Sequence, residues 1–146
     1  MNVNVPRVSI GLPVYNGEKH LTIALESILA QTFTEFEVIV SDNASDDATE
    51  QICREFADKD QRIRYYRQNQ NFGAARNFNL VFELSTGEYF KWAAHDDTCA
   101  PQYLQRCVNV LDREPSVVLC YPRISYIDEH GRSLTSGKGN LSLRGA

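Results

Sequence analysis

Along the chain, short β-branched runs alternate with stretches whose apolar residues recur every three or four positions. Val8-Ser9-Ile10-Gly11-Leu12 reads as a strand closed by Pro13. Residues 18–31 then put Leu21, Leu25, Ile28 and Leu29 on one helical face, with Asn16 as N-cap. Phe36 to Val40 reads as a second strand, and after residues 41–47 a helix carries Ala48, Ile52 and Phe56, with Asp47 and Glu50 spaced as a capping box. Ile63 to Tyr66 is a third strand; residues 72–84 bring Ala75, Phe78 and Phe82 to one side before Gly87 stops them, and Tyr89 to Ala93 is a fourth strand. Pro101 opens a helix with Leu104, Val108 and Leu111 in register, and Pro115 closes it. Val117 to Tyr121 is a continuous apolar run suited to a fifth strand buried on both faces. Such alternation predicts an α/β fold, a mostly parallel sheet with right-handed crossovers and helices on both faces. Beyond it, residues 125–133 read as a hairpin turning at Asp128 to Gly131, and residues 135–146 as a flexible tail rich in Gly and Ser.

With 146 residues, 42% of them hydrophobic, the chain can bury a core of its own. Its 15 Lys and Arg against 19 Asp and Glu give a net charge of −4, which disfavours nucleic acid and anionic lipid as partners. An anionic ligand therefore needs a local device. Neither a membrane span nor a signal peptide is visible, so the segment reads as cytoplasmic. Cys53, Cys99, Cys107 and Cys120 show no metal or disulfide spacing and read as reduced core residues.

In open parallel sheets, ligands bind outside the carboxyl ends of the strands. The polar clusters fall there: residues 13–18 after strand one, 41–47 after strand two, and Ala94-His95-Asp96-Asp97 after strand four. Asp42, Asp46, Asp47, Asp96 and Asp97 on one rim would repel one another if bare. A divalent cation held by carboxylates and substrate phosphates relieves that repulsion, which points to Mg²⁺ or Mn²⁺ and a diphosphate. Arg76, near the start of the third helix, can add a charge-assisted bond to phosphate.

At these residues the sequence resembles a known family. The stretch from Val8 to Gly17, then Leu29-Ala30-Gln31-Thr32-Phe33, then Phe36 to Asp47 is similar to the opening of a family 2 glycosyltransferase with the GT-A fold. Gly87-Glu88-Tyr89 leading to His95-Asp96-Asp97 and Pro101 resembles the metal-binding segment of that family. The resemblance implies a nucleotide-sugar-binding GT-A subdomain over residues 1–134, with the tail leading to an acceptor-binding half that lies beyond this chain. It further implies inverting transfer of a sugar from a nucleotide diphosphate donor, a UDP-sugar by family custom, to a hydroxyl of a glycan or lipid-linked acceptor. Carried over by position, Pro13, Tyr15 and Glu18 line the base and ribose pocket and Asp42 accepts a hydrogen bond from the base. Asn71, Gly73 and Arg76 sit near the nucleotide, Asp96 near ribose and metal, and Asp97 ligates the metal. Ala94 stands where many members have another aspartate, and Asn43 replaces a frequent second aspartate of the strand-two motif. No catalytic base is identified, so the fragment alone is expected to be inactive, and inner-membrane association would come only from the absent part.

Plainer roles compete at several positions. Asp96-Asp97 can be a turn before Pro101, and Asp42 a turn residue before the second helix. His95 is read as a hydrogen-bonded neighbour without catalytic role and Trp92 as core. The alternative function is a non-catalytic module that binds a nucleotide or a partner chain.

Overall fold

The structure, a computed structural model, describes residues 5–128, 131, 132 and 134. Strands β1 (Val8–Val14), β2 (Phe36–Asp42), β3 (Ile63–Arg67) and β4 (Tyr89–Trp92) alternate with helices α1 (Leu21–Leu29), α2 (Thr49–Lys59), α3 (Ala74–Glu83) and α4 (Tyr103–Arg113). The strands form one parallel sheet in the order β3-β2-β1-β4. β1 and β2 are buried along their whole length; their apolar residues form the core, and the buried Ser9, Glu37, Ser41 and Asp42 are hydrogen-bonded. The even residues of β1 and β2, Val8 to Val14 and Phe36 to Val40, enter a core with Leu21, Leu25 and Ile28 of α1, Cys53 of α2 and Leu104 and Val108 of α4. α3 covers the opposite face, against β1 and β2. There a Cβ on Gly11 would lie 2.6 Å from Val81 Cγ2, so only glycine lets α3 approach this closely.

β1 runs two residues past the expected stop and includes Pro13, paired with Ser41. Gly11 O accepts from Ala93 N while Val14 O accepts from Asn43 N, so Pro13 turns its backbone toward the β4 side, beyond the last β1–β4 pair, Gly11 with Trp92. No ladder donor is missed there. Asn16 is not the N-cap of α1: the helix begins at Leu21, and Asn16 takes φ 50° and accepts from Asp46 N instead. Trp92 is not core either, being 51% exposed beside Phe82 and Phe90 on the α3 face of a four-residue edge strand.

The fifth strand does not form among the described residues: residues 117–121 join no ladder, and Val118 is 94% exposed. An apolar run supplies burial potential but not a partner, and a strand exists only through its ladder. The hairpin is present in outline, with Asp128 N donating to Arg132 O at 2.9 Å and Leu134 N to Tyr126 O at 2.8 Å; Glu129 and His130 lie outside the described residues, as does the expected tail. All four cysteines are free, and only Cys53 is buried in the core. Burial and the nearby charges of Asp42 and Asp47 push its thiol up to about 12. No helix among the described residues is long and apolar enough to cross a membrane.

Candidate active site

The four parallel strands bring their carboxyl ends to one rim, and side-chain to backbone bonds tie the rim loops together. Asn16 N donates to Ser45 Oγ, Gly17 N to Thr49 Oγ1 and Glu18 N to Asp47 Oδ2, while Asp46 N donates to Asn16 Oδ1 and Ala48 N to Glu18 Oε2. This reciprocal clamp satisfies backbone donors at the start of α2 and fixes the β1 and β2 loops relative to one another. Glu50 does not complete the expected capping box. It accepts from Arg54 at 2.8 Å and Arg67 at 2.9 Å. The loop after β4 is held by buried Gln31, whose Nε2 donates to Ala100 O and whose Oε1 accepts from Leu104 N at the start of α4. The Leu29 to Phe33 motif thus positions the acidic loop from below.

Two cavities open on the rim. One, of about 450 Å³, is lined by Pro13, Tyr15, Asn43, Asn71, Gly73, Asn77, Phe78, His95 and Asp96. The other, of about 490 Å³, is lined by Lys91, Asp96, Asp97, Cys99, Tyr103 and Arg123 among others. Asp96 belongs to both. Because the sheet order is β3-β2-β1-β4, Asn71, Asn43, Tyr15 and Asp96 succeed one another across the rim. Three strand spacings of about 4.8 Å separate the ends, roughly 14 Å. The first cavity is therefore a trough with neutral amides at one end and a carboxylate at the other.

The rim carboxylates are not equivalent. Asp42 is 0% exposed: its Oδ1 accepts from Ser45 N, and its Oδ2 from Tyr65 Oη at 2.9 Å and Arg67 at 2.8 Å. No part of it lines either cavity. Burial and the Asp42 carboxylate in turn push the Tyr65 phenol above its ordinary range. Asp47 accepts from Thr49 N and Glu18 N; burial would raise its carboxyl, but these bonds outweigh burial and hold it below the ordinary range. Asp96 and Asp97 are exposed, and among the described residues no hydrogen bond or ion pair engages either carboxylate. Arg67 and the start of α2 already compensate Asp42 and Asp47, and Asp46 is exposed and lines neither cavity, so the repulsion argued from five bare aspartates narrows within the cleft to this pair.

Pro13, Tyr15, Asn71, Gly73 and Asp96 thus meet in one trough, and Asp97 lies in the adjoining cavity. Glu18 and Asp42 line neither cavity. Arg76 is exposed on α3 with its guanidinium 4.3 Å from the Phe72 ring centroid and also lines neither cavity. Asn43 is the cleft-facing residue of the β2 loop. Strand alternation signals this, since Asp42 follows Val38 and Val40 to the core side.

Among the described residues no group of three or more His, Cys, Asp or Glu side chains could hold a metal. Mg²⁺ or Mn²⁺ bound chiefly by phosphate oxygens and water needs only one or two carboxylates, and the unpaired Asp96–Asp97 pair supplies these. The donor set fits a hard cation.

Residues 9–139 match the family described as glycosyl transferase family 2, and the chain belongs to that family. An uncharacterized glycosyltransferase of Rickettsia typhi is 36% identical over 91% of this chain and 41% of its own length. Chondroitin synthase of Escherichia coli is 32% identical over 91% of this chain and 19% of its own length. Among solved structures, S. aureus TarS residues 1–349 in complex with UDP-GlcNAc superposes with a TM-score of 0.71 at 27% identity, covering 82% of this chain and 37% of that one. The mannosyltransferase PcManGT of Pyrobaculum calidifontis, in complex with GDP-Man and Mn²⁺, gives 0.71 at 28% identity, over 81% of this chain and 36% of that one. The four-stranded parallel sheet is that of GT-A glycosyltransferases. This chain spans less than half the length of the curated relatives it matches.

Proposed function

We propose that this chain binds a nucleoside diphosphate sugar, a UDP-sugar, across the carboxyl rim of its sheet, and that it serves inverting, metal-assisted transfer of the sugar to a hydroxyl of a glycan or lipid-linked acceptor. The observation that carries the reading is the unpaired Asp96–Asp97 pair at the β4 end of a trough whose other end is aromatic and amide-lined. UDP-GlcNAc on one structural neighbour and GDP-Man with Mn²⁺ on another support the ligand class.

In this reading Tyr15, 45% exposed at the trough, stacks on the base or ribose beside Pro13, and Gly73 leaves room for backbone contact next to Asn71. Asp96 meets the ribose and, with Asp97, holds Mg²⁺ or Mn²⁺. Bound there, the cation offsets negative charge on the departing diphosphate. Arg76, exposed on the first turn of α3 three residues from Gly73, adds a positive charge near the nucleotide. Asp42 and Glu18 act from behind, because their oxygens are spent on the loops that carry Asn43 and Tyr15. Asp96 and Asp97 are the only carboxylates lining the two cavities, so the base that takes the acceptor proton comes from outside the described residues. Residues 1–134 are accordingly the donor-binding subdomain, and the 146-residue chain by itself is not expected to sustain transfer.

Calorimetry with UDP, with and without Mn²⁺, tests the proposal. Binding that requires Mn²⁺ and disappears in Asp97→Ala is the expected result; a chain that binds no nucleotide under either condition overturns it.

A further inference from the structure

We infer that Cys107 and Cys120 form a reversible redox pair, whose disulfide staples residues 117–121 to α4 and so anchors one wall of the larger cavity. Chain geometry brings the two sulfurs together. From Cys107 to Arg113 α4 advances about 9 Å at 1.5 Å per residue. Val117 N then donates to Glu114 O at 2.8 Å, so the chain turns back directly after the helix. The stretch from Val117 to Cys120 covers about 10 Å when extended, which returns Cys120 to the level of Cys107. Burial agrees with this path. Val118, Leu119 and Tyr121 are exposed, whereas Cys120 among them is half-buried. Cys107 is half-buried too, on the same face of α4 as Tyr103 four residues earlier. There the Cys107 thiol donates a hydrogen bond to the Cys120 sulfur. Burial pushes the Tyr103 phenol up to about 12, and the nearby sulfurs of Cys107, Cys99 and Cys120 add to the effect.

The other two thiols are placed differently. Cys53 is sealed in the core, and Cys99, on the loop after β4, accepts from Lys91 Nζ at 3.5 Å. With a small-molecule disulfide such as oxidised glutathione as oxidant, the chemistry of the pair balances. Burial and the bond to Cys120 push the Cys107 thiol up to about 12, so it keeps its proton and Cys120 is the attacking sulfur. Cys120 loses its proton, forms a mixed disulfide and expels one glutathione thiolate. Cys107 then gives up its proton, attacks the Cys120 sulfur and expels the second. Two protein thiols are oxidised, and one glutathione disulfide is reduced to two molecules of glutathione. Residues 117–121 join no ladder, so this bond supplies a tie to α4 that the sheet does not give them. Pro122, Arg123, Ile124 and Ile127 follow directly and line the cavity that holds Asp96 and Asp97, so pinning Cys120 anchors that wall.

The 146-residue chain, reduced and then exposed to oxidised glutathione, is read by intact mass, by peptide mapping without reductant and by thermal unfolding. The expected product has lost two hydrogens and carries its cross-link between the peptides of Cys107 and Cys120. It returns to the starting mass with dithiothreitol, and it melts about 5–10 °C higher than the reduced chain. Cys107→Ser should stop at a glutathione adduct on Cys120, and Cys120→Ser should leave Cys107 unmodified under conditions that fully oxidise the native chain. The native chain carries the decisive reading, so the outcome depends neither on the folding of a variant nor on what the rim binds. A native chain that acquires only adducts, or a cross-link to Cys53 or Cys99, overturns the pairing. An unchanged melting point in the cross-linked chain overturns the staple, and an adduct on Cys107 in place of Cys120 overturns the order of attack.

Discussion

The two ends of the sheet treat their acidic side chains differently. At the amino ends of the strands Glu37, Glu88 and Asp112 are all engaged. Glu37, buried on β2, accepts from Ser9, Thr86 and Arg64, and Arg7 joins Glu88 to Asp112, which also accepts from Tyr89. At the carboxyl ends Asp42 and Asp47 are engaged in the same manner, but Asp96 and Asp97 are left without partners among the described residues. Carboxylates that fold the protein are recognisable by their saturated partners. Asp96 and Asp97 differ in lining the cleft with no such partners among the described residues.

The largest expected effect breaks the closed end. Glu37→Ala leaves Arg64 without its carboxylate and Thr86 Oγ1 without its acceptor, while Thr86 N keeps Ser9 Oγ, and should cost about 3 kcal/mol in urea unfolding. Nucleotide affinity of the remaining folded protein should not change, because Glu37 sits at the opposite end of its strand from the trough. A parallel loss of affinity would mean that the two ends are coupled.

At the open end the signs reverse. Asp97→Ala should weaken Mn²⁺-dependent UDP binding by about 100-fold, roughly 2.7 kcal/mol, while leaving the thermal midpoint unchanged or slightly raised. Removing one of two adjacent like charges costs the fold nothing when neither has a partner. A variant as destabilised as Glu37→Ala would show Asp97 to be structural after all.

That contrast also explains what could be read from sequence. β1 and β2 were legible because a strand buried on both faces announces itself locally. The Asp96-Asp97 pair was legible because a strand end followed by acids is a local pattern too. Residues 117–121 show the same apolar signature as β2, yet they join no ladder, because pairing is a property of two segments. Position alone points Asp42 toward the base, and no local pattern shows that its Oδ2 is held by Arg67, 25 residues on, and by Tyr65. Asn16 looked like a local cap and turned out to serve a loop 30 residues away. Residue types at the rim could be read; their partners across the rim could not.

Between the two extremes lie side chains that are structural in partner and functional in consequence. Arg67 donates to Asp42, to Ser45 O and, from Nε, to Glu50, so it braces the loop that carries Asn43. Arg67→Lys can keep one of these contacts, and should lower stability by about 1 kcal/mol and UDP affinity roughly fivefold. Calorimetry and urea unfolding on one preparation separate the two; a stability loss with native affinity would remove Arg67 from the site.

Asp47 gives the smallest effect and the sharpest pH signature. Asp47→Ala removes the acceptor for Thr49 N and Glu18 N at the start of α2 and should cost about 1 kcal/mol at neutral pH. Burial raises this carboxyl, but the bonds from Thr49 and Glu18 outweigh burial, so its folded value lies below its unfolded one. A group depressed in this direction stabilises the fold above its unfolded value and loses that contribution as the pH falls through the folded one. The gap between native and variant should therefore be full at pH 7 and close progressively below about pH 4. If the Asp47→Ala gap instead stayed constant into acid, the clamp between the β1 and β2 loops would owe nothing to the carboxylate charge, and the distinction drawn between engaged and unengaged rim acids would fail at its first test.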